Sequence, residues 1–168
     1  MPFSMYQASA PVYTRSLKSL LTVLDKAAAH SAARKIDPAI LISARLYPDM
    51  WSLAEQVRAA CNHATRGPAR LAGVPIPQYD GADASFDDLK ARIGWVLAFI
   101  AGLKPEQFDG AGERTISFPT GDTQQTMSGS EYLLAFSMPN FYFHAATAYG
   151  ILRHNGVALG KDDFIGPA

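Results

Sequence analysis

Four stretches of this chain carry apolar side chains at helical spacing, with proline and glycine between them, and that pattern confines the chain to folds built from packed helices. The first runs from Val12 to about Ala33, where Leu17, Leu20, Leu21, Leu24 and Ala28 form one stripe and Arg34-Lys35 supplies cations favoured by the helix dipole. Asp37-Pro38 reads as an N-cap with proline at the first helical position, so Ala39 to Leu46 is expected to be a short connector helix stopped before Pro48. The second stripe, Met50, Leu53, Ala54, Val57, Ala60, Cys61 and Ala64, predicts a helix from Asp49 to about Thr65, with Ser52 and Glu55 as a capping box if it starts late. Gly73 to Ala84 is a turn-rich surface connection. Ser85 with Asp88 then opens a third stripe of Phe86, Leu89, Ile93, Leu97 and Ile100 that ends near Gly102.

Between Glu113 and Met127 the helical rhythm breaks. Thr115, Ile116 and Phe118 precede a Thr-Gly-Asp turn and polar alternation follows, which predicts a small β-hairpin. The last helix opens around Ser130, Leu133 and Leu134, and must kink or restart at Pro139, which lacks a backbone donor. The expected fold is therefore all-α, an up-and-down four-helix bundle with a connector helix and a hairpin before the last helix.

Composition narrows the function classes. A chain of 168 residues with 48% hydrophobic content can bury a core of its own, and residues 1–168 are read as one domain. Fifteen basic residues balance fifteen acidic ones, so no long-range field draws the chain to nucleic acid or an anionic membrane. The longest apolar run, Trp95 to Ala101, is far shorter than the roughly 20 residues a membrane span needs. A lone cysteine, Cys61, cannot form an internal disulfide, and MPFSMYQASAP lacks the regions of an export signal; a soluble, cytoplasmic protein is the expectation.

The stretch Pro139 to Gly156, PNFYFHAATAYGILRHNG, draws the most attention. At about 100° per residue, Asn140, Phe141, His144, Ala148, Ile151 and Leu152 share one sector, whereas Tyr142, Ala146, Tyr149 and Arg153 lie opposite. His144 is thus expected near the middle of the buried face, and His154, before Asn155-Gly156, at the helix end. The pattern H-x8-R-x2-G from His144 through Arg153 to Gly156 resembles the DinB/YfiT-like superfamily. The whole stretch with its following LGK, together with the QV of Gln56-Val57 and the RLAG of Arg70 to Gly73, is similar to an uncharacterised, mostly bacterial branch of it, a domain of unknown function.

That resemblance implies a site of three histidines, one on the second helix and a pair spaced four apart on the last, holding zinc or nickel for metal-dependent hydrolysis or thiol transfer. Position by position, the later histidine of the pair falls on His144, the earlier on Asn140, and the second-helix ligand near Gln56. Two of three ligands are then amides, whose neutral carbonyl oxygens bind transition metals weakly. His63 lies on about the same side of its helix as Gln56 but two turns, roughly 10 Å, away, and reads as a boundary residue. Two functions follow: a homodimeric binding or structural module with a degraded metal site and no cofactor, taking a small-molecule ligand, or a metal-dependent enzyme centred on His144 with help from Asn140, Gln56 or His63. The first is favoured.

Other groups carry less. Cys61 falls on an apolar stripe and reads as a small buried hydrophobe. Asp80, Asp83, Asp87 and Asp88 surround a turn and a helix start and read as solvated capping charge; Gly110 to Gly112 lacks the lysine and hydroxyl of a phosphate loop. His30 reads as a helix-terminal residue. The outward aromatics of the last helix, among them Tyr142 and Tyr149, read as a subunit interface ahead of a pocket lining, and Phe164 and Ile165 as anchors docking the C-terminal run on the helices.

Overall fold

The computed structural model describes residues 4–166. Helix α1 spans Met5–Arg34, starting earlier than Val12. Ser4 accepts from the Gln7 backbone N–H at 3.2 Å while Gln7 Oε1 accepts from Ser4 N at 3.1 Å, a capping box that nucleates the helix ahead of Pro11. The donor missing at Pro11 is tolerated because Ala8, Ala10 and Tyr13 around it are buried. At the other end Lys35 turns left-handed (φ 55°) and Ile36 N donates to Ser31 O at 2.9 Å, closing the last turn. Asp37 caps α2, Pro38–Ser43, which is shorter than the expected Ala39 to Leu46.

Helix α3 spans Leu53–Ala72 and starts at the Ser52–Glu55 capping box, with Glu55 Oε2 accepting from Ser52 N at 2.8 Å. It does not stop near Thr65 but runs through Gly67-Pro68. A Cβ on Gly67 would lie 2.5 Å from Ser137 Oγ and 3.0 Å from the Tyr13 hydroxyl, so this glycine marks a close crossing of helices rather than a helix end. Beneath it Tyr13 and Ser137 share a buried hydrogen bond of 2.8 Å. After the 74–85 loop comes α4, Phe86–Ala101, capped by Ser85, whose Oγ accepts from Asp88 N at 3.1 Å.

The hairpin pairs β1, Thr115–Thr120, with β2, Thr123–Ser128, in antiparallel register Thr115↔Ser128 to Thr120↔Thr123. Ile116 and Phe118 are its buried side chains; Phe118 packs on Tyr132 and Phe136 with ring centroids 4.9 and 4.6 Å away. The Arg70 guanidinium lies over Phe118 at 5.2 Å and donates to the Tyr132 hydroxyl at 2.8 Å, tying the hairpin to α3.

A single turn α5, Gly129–Glu131, leads into a π-helical stretch, Tyr132–Ser137, and then α6, Met138–His154. The π turn is how the chain meets Pro139: the wider turn absorbs the missing donor, and Asn140 Nδ2 donates to the Phe136 carbonyl at 2.7 Å. Helix α7, Lys161–Ile165, folds back on α1 through a 2.6 Å Lys26–Asp163 ion pair. Phe164 docks against Tyr149, drawing Tyr149 from the outward face, whereas Ile165 stays 47% exposed and is held to α1 by its carbonyl, which accepts from Arg15 Nε at 3.2 Å, and not as an apolar anchor.

Helices α1, α3, α4 and α6 contribute to one hydrophobic cluster, with α3 lying along both α4 and α6. Leu17, Leu24, Leu53, Val57, Leu89, Ile93, Phe141 and Ile151 have essentially no solvent contact, and Ala60, Ala64 and Ala148 keep the helices close. Among the described residues no helix is long and apolar enough to cross a membrane.

Candidate functional site

His144 stands at the edge of the α6 core face, half-buried, because Ala145 and Ala148 occupy the middle in its place. Gln56, 2% exposed on the first turns of α3, meets it: Gln56 Oε1 lies 2.8 Å from His144 Nδ1. The amide's other end donates from Nε2 to the Trp51 carbonyl at 3.3 Å, which fixes its orientation and makes Nδ1 the protonated ring nitrogen. The Nε2 lone pair of His144 is thereby left as an acceptor, and among the described residues no protein group bonds to it.

Two aromatic rings lie near-parallel to this imidazole. Trp51 stacks on it with centroids 5.4 Å apart and planes 12° from parallel, and His63 stacks at 5.7 Å and 20°. His63 is thus no bystander: the packing of α3 along α6 brings it to His144, which its seven-residue spacing from Gln56 did not reveal. Asn140 is not part of the group, since its side chain serves the Phe136 carbonyl. Two cavities flank the stack. One, of about 120 Å³, is lined by Trp51, His63 and His144 with Arg58, Asn62 and Arg66; the other, about 250 Å³, is apolar, with Met50 and Phe143 beside Gln56.

Burial disfavours the charged form of both imidazoles. Desolvation lowers the His63 pKa from 6.5 to about 4, assisted by His144, Arg66 and Arg70, and desolvation alone lowers that of His144. An unfolded chain takes up a proton at His63 near pH 6.5, the folded chain only near pH 4, so protonation in that window favours unfolding. Stability is therefore expected to be full above pH 6.5 and to fall as the pH drops towards 4, by on the order of 2 kcal/mol. Urea unfolding at pH 7 and pH 4.5 checks this, with His63→Gln expected to flatten the difference.

A family model described as a domain of unknown function, DUF1993, matches residues 5–165. The chain belongs to that family. This DUF1993 protein is also similar to a solved structure, the crystal structure of a DinB family member protein from Shewanella denitrificans at 1.83 Å resolution, with 36% identity, a TM-score of 0.91, and coverage of 98% of this chain and 93% of that one. It is a DinB-like protein of unknown function, as the His144 to Gly156 pattern implied. No curated protein matches it.

The residues of this DUF1993 chain do not fit the three-histidine metal centre of the wider superfamily. Two ligands at about 2.1 Å from a tetrahedral zinc stand about 3.4 Å apart. Gln56 Oε1 and His144 Nδ1 instead face each other at hydrogen-bond distance with a proton between them. His63 and His144, with ring centroids 5.7 Å apart, supply two imidazoles where that centre needs three. Among the described residues no three His, Cys, Asp or Glu side chains are grouped to hold a metal.

Cys61 is fully buried in the core, its thiol pushed up to about 12 by desolvation, and is no nucleophile. Asp83 corrects the reading of solvated loop charge: it is engaged in a bidentate pair with the buried Arg92, at 2.6 and 2.9 Å. Trp51 carries no sequence signal, because it precedes α3 and belongs to no stripe. The row Arg58, Asn62, Arg66 did carry a signal, a four-residue repeat of polar side chains on one helix face.

Proposed function

We propose that this protein is a DinB-like binding module without the superfamily's metal site, a single-domain homodimer whose His144 cavity takes a small organic molecule. The observation that carries this reading is the double engagement of Gln56, with His144 Nδ1 on one side and the Trp51 carbonyl on the other. A glutamine so placed does what a metal ligand cannot: it sets the tautomer of the histidine and aims a neutral acceptor, Nε2, away from itself. Gln56 lines the apolar cavity and not the smaller one, which supports an Nε2 edge facing the 120 Å³ cavity. Small-molecule sites of this kind combine aromatic walls with few oriented polar atoms. The up-and-down four-helix arrangement is supported by the shared core of α1, α3, α4 and α6, and a cytoplasmic location by the single unpaired cysteine.

The homodimer is supported by exposed apolar side chains beside the stack. Tyr47, Trp51 and Phe143 are 66%, 51% and 57% exposed, and Leu46 beside them packs near Gly150 of α6. Large apolar side chains gathered in this way mark an interaction surface, and a two-fold pairing of identical patches is the commonest way to cover one.

Native mass spectrometry and elemental analysis of untagged protein test the reading together. A mass of two chains with zinc and nickel far below one atom per chain is the expected result. Stoichiometric zinc or nickel that disappears in His144→Ala overturns the metal-free site, and a one-chain mass overturns the dimer.

A further inference from the structure

Next to the His144 cavity lies a second one, of about 230 Å³, between α3, the 74–85 loop and α4. The two share Arg58, Asn62 and Arg66, so they form one groove along that row of α3. Its charges are unevenly matched. Arg92 lines the outer part but is held by both oxygens of Asp83 and covered by the Tyr79 ring 4.4 Å away. Arg58 approaches Asp83 only at 3.7 Å, and Arg66 is exposed and makes no ion pair among the described residues. Glu55, the acid of the inner part, already accepts from Ser52 and lies 3.3 Å from Arg45. Two guanidinium groups without a full counter-charge therefore face a groove walled by aromatic rings, Trp51 and His144 at one end and Tyr79 and Trp95 at the other.

We propose that this groove binds a small planar carboxylate, clasped by Arg58 and Arg66, with its ring beside the Trp51–His144 stack and a hydroxyl donating to His144 Nε2. This rests on the reading of His144 as a metal-free binding site. The guanidinium fork matches the two oxygens of a carboxylate, and its charge is least costly to satisfy where nearby acids are already engaged. The inner volume of about 120 Å³ suits a single ring, since a protein cavity of about 150 Å³ takes up benzene.

The two tryptophans of the chain, Trp51 and Trp95, each line one part of the groove, so their indole N–H signals in a nitrogen-15 spectrum report on its two ends. The probe is 4-hydroxybenzoate, with 4-hydroxybenzyl alcohol as its neutral counterpart and inorganic phosphate as an anion without a ring. Hydroxybenzoate is expected to shift the Trp51 signal saturably, with the alcohol binding about tenfold more weakly. Arg66→Gln and Arg58→Gln, both at exposed positions, are each expected to weaken the carboxylate about tenfold and leave the alcohol unchanged. Equal binding of alcohol and carboxylate overturns the carboxylate site while leaving the binding pocket in place. Phosphate competing as well as hydroxybenzoate overturns the planar ligand, and no Trp51 shift with either ring compound overturns both the groove and the pocket.

Discussion

Gly129→Ala is expected to destabilise the protein by about 3–5 kcal/mol, among the largest losses any single methyl group can cause here. Gly129 sits where β2 hands over to α5, and its α-carbon rests against the chain just before the hairpin. A Cβ added there would overlap the Ala111 carbonyl oxygen and lie 2.9 Å from the Ala111 carbon and 3.2 Å from Leu71 Cδ2. Backbone cannot swing aside as a side chain can, and this backbone is pinned: Ser130 donates from both N and Oγ to the Gly112 carbonyl, at 2.9 and 3.1 Å. Relief requires the hairpin to lift from α3, breaking the Phe118 and Arg70 contacts. Urea unfolding checks the loss, with Gly94→Ala as a control. Gly94 is exposed in the middle of α4 and a Cβ there meets nothing within 4 Å, so that variant is expected to gain about 0.5–1 kcal/mol.

Asp83→Ala is expected to cost about 3–5 kcal/mol, because it strands the Arg92 guanidinium in a site where only 7% of that residue reaches solvent. The Tyr79 ring over Arg92 cannot replace two hydrogen-bonded oxygens, and the substitution also removes the Arg58 contact to Asp83 at 3.7 Å. The same argument predicts a recovery. In the double variant Asp83→Leu with Arg92→Met no charge is buried, and most of the single-variant loss is expected to return. Denaturation of the single and double variants measures the coupling; a double variant no better than Asp83→Ala would place the cost in loop packing instead of the stranded charge.

What could be read from the residues was the local logic. Ser52 with Glu55, Ser85 with Asp88 and Asp37 with Pro38 each announce a helix start through their own side chains, and each start is where those side chains place it. The hairpin was legible for the same reason, a turn dipeptide between alternating residues. Local signals misled where tertiary packing overrode them. Pro11 and Gly67-Pro68 resemble helix boundaries, yet burial around Tyr13 carries both helices through. Of the site, the family pattern pointed to His144 and Gln56, and the helix register between α3 and α6 decided the rest. That register depends on alanines, such as Ala60 and Ala148, that look interchangeable in a sequence. It placed His63 on His144, while the π turn before Pro139 gave Asn140 a backbone carbonyl to serve.

The lone thiol has a practical use that follows from its burial. Cys61 has no solvent contact and lies between α3 and the rest of the core, so an alkylating reagent reaches it only when these helices part. With no second cysteine in the chain, the rate of its modification is a clock for core opening that needs no engineered label. A ligand lodged along α3 would slow that clock in proportion to its occupancy.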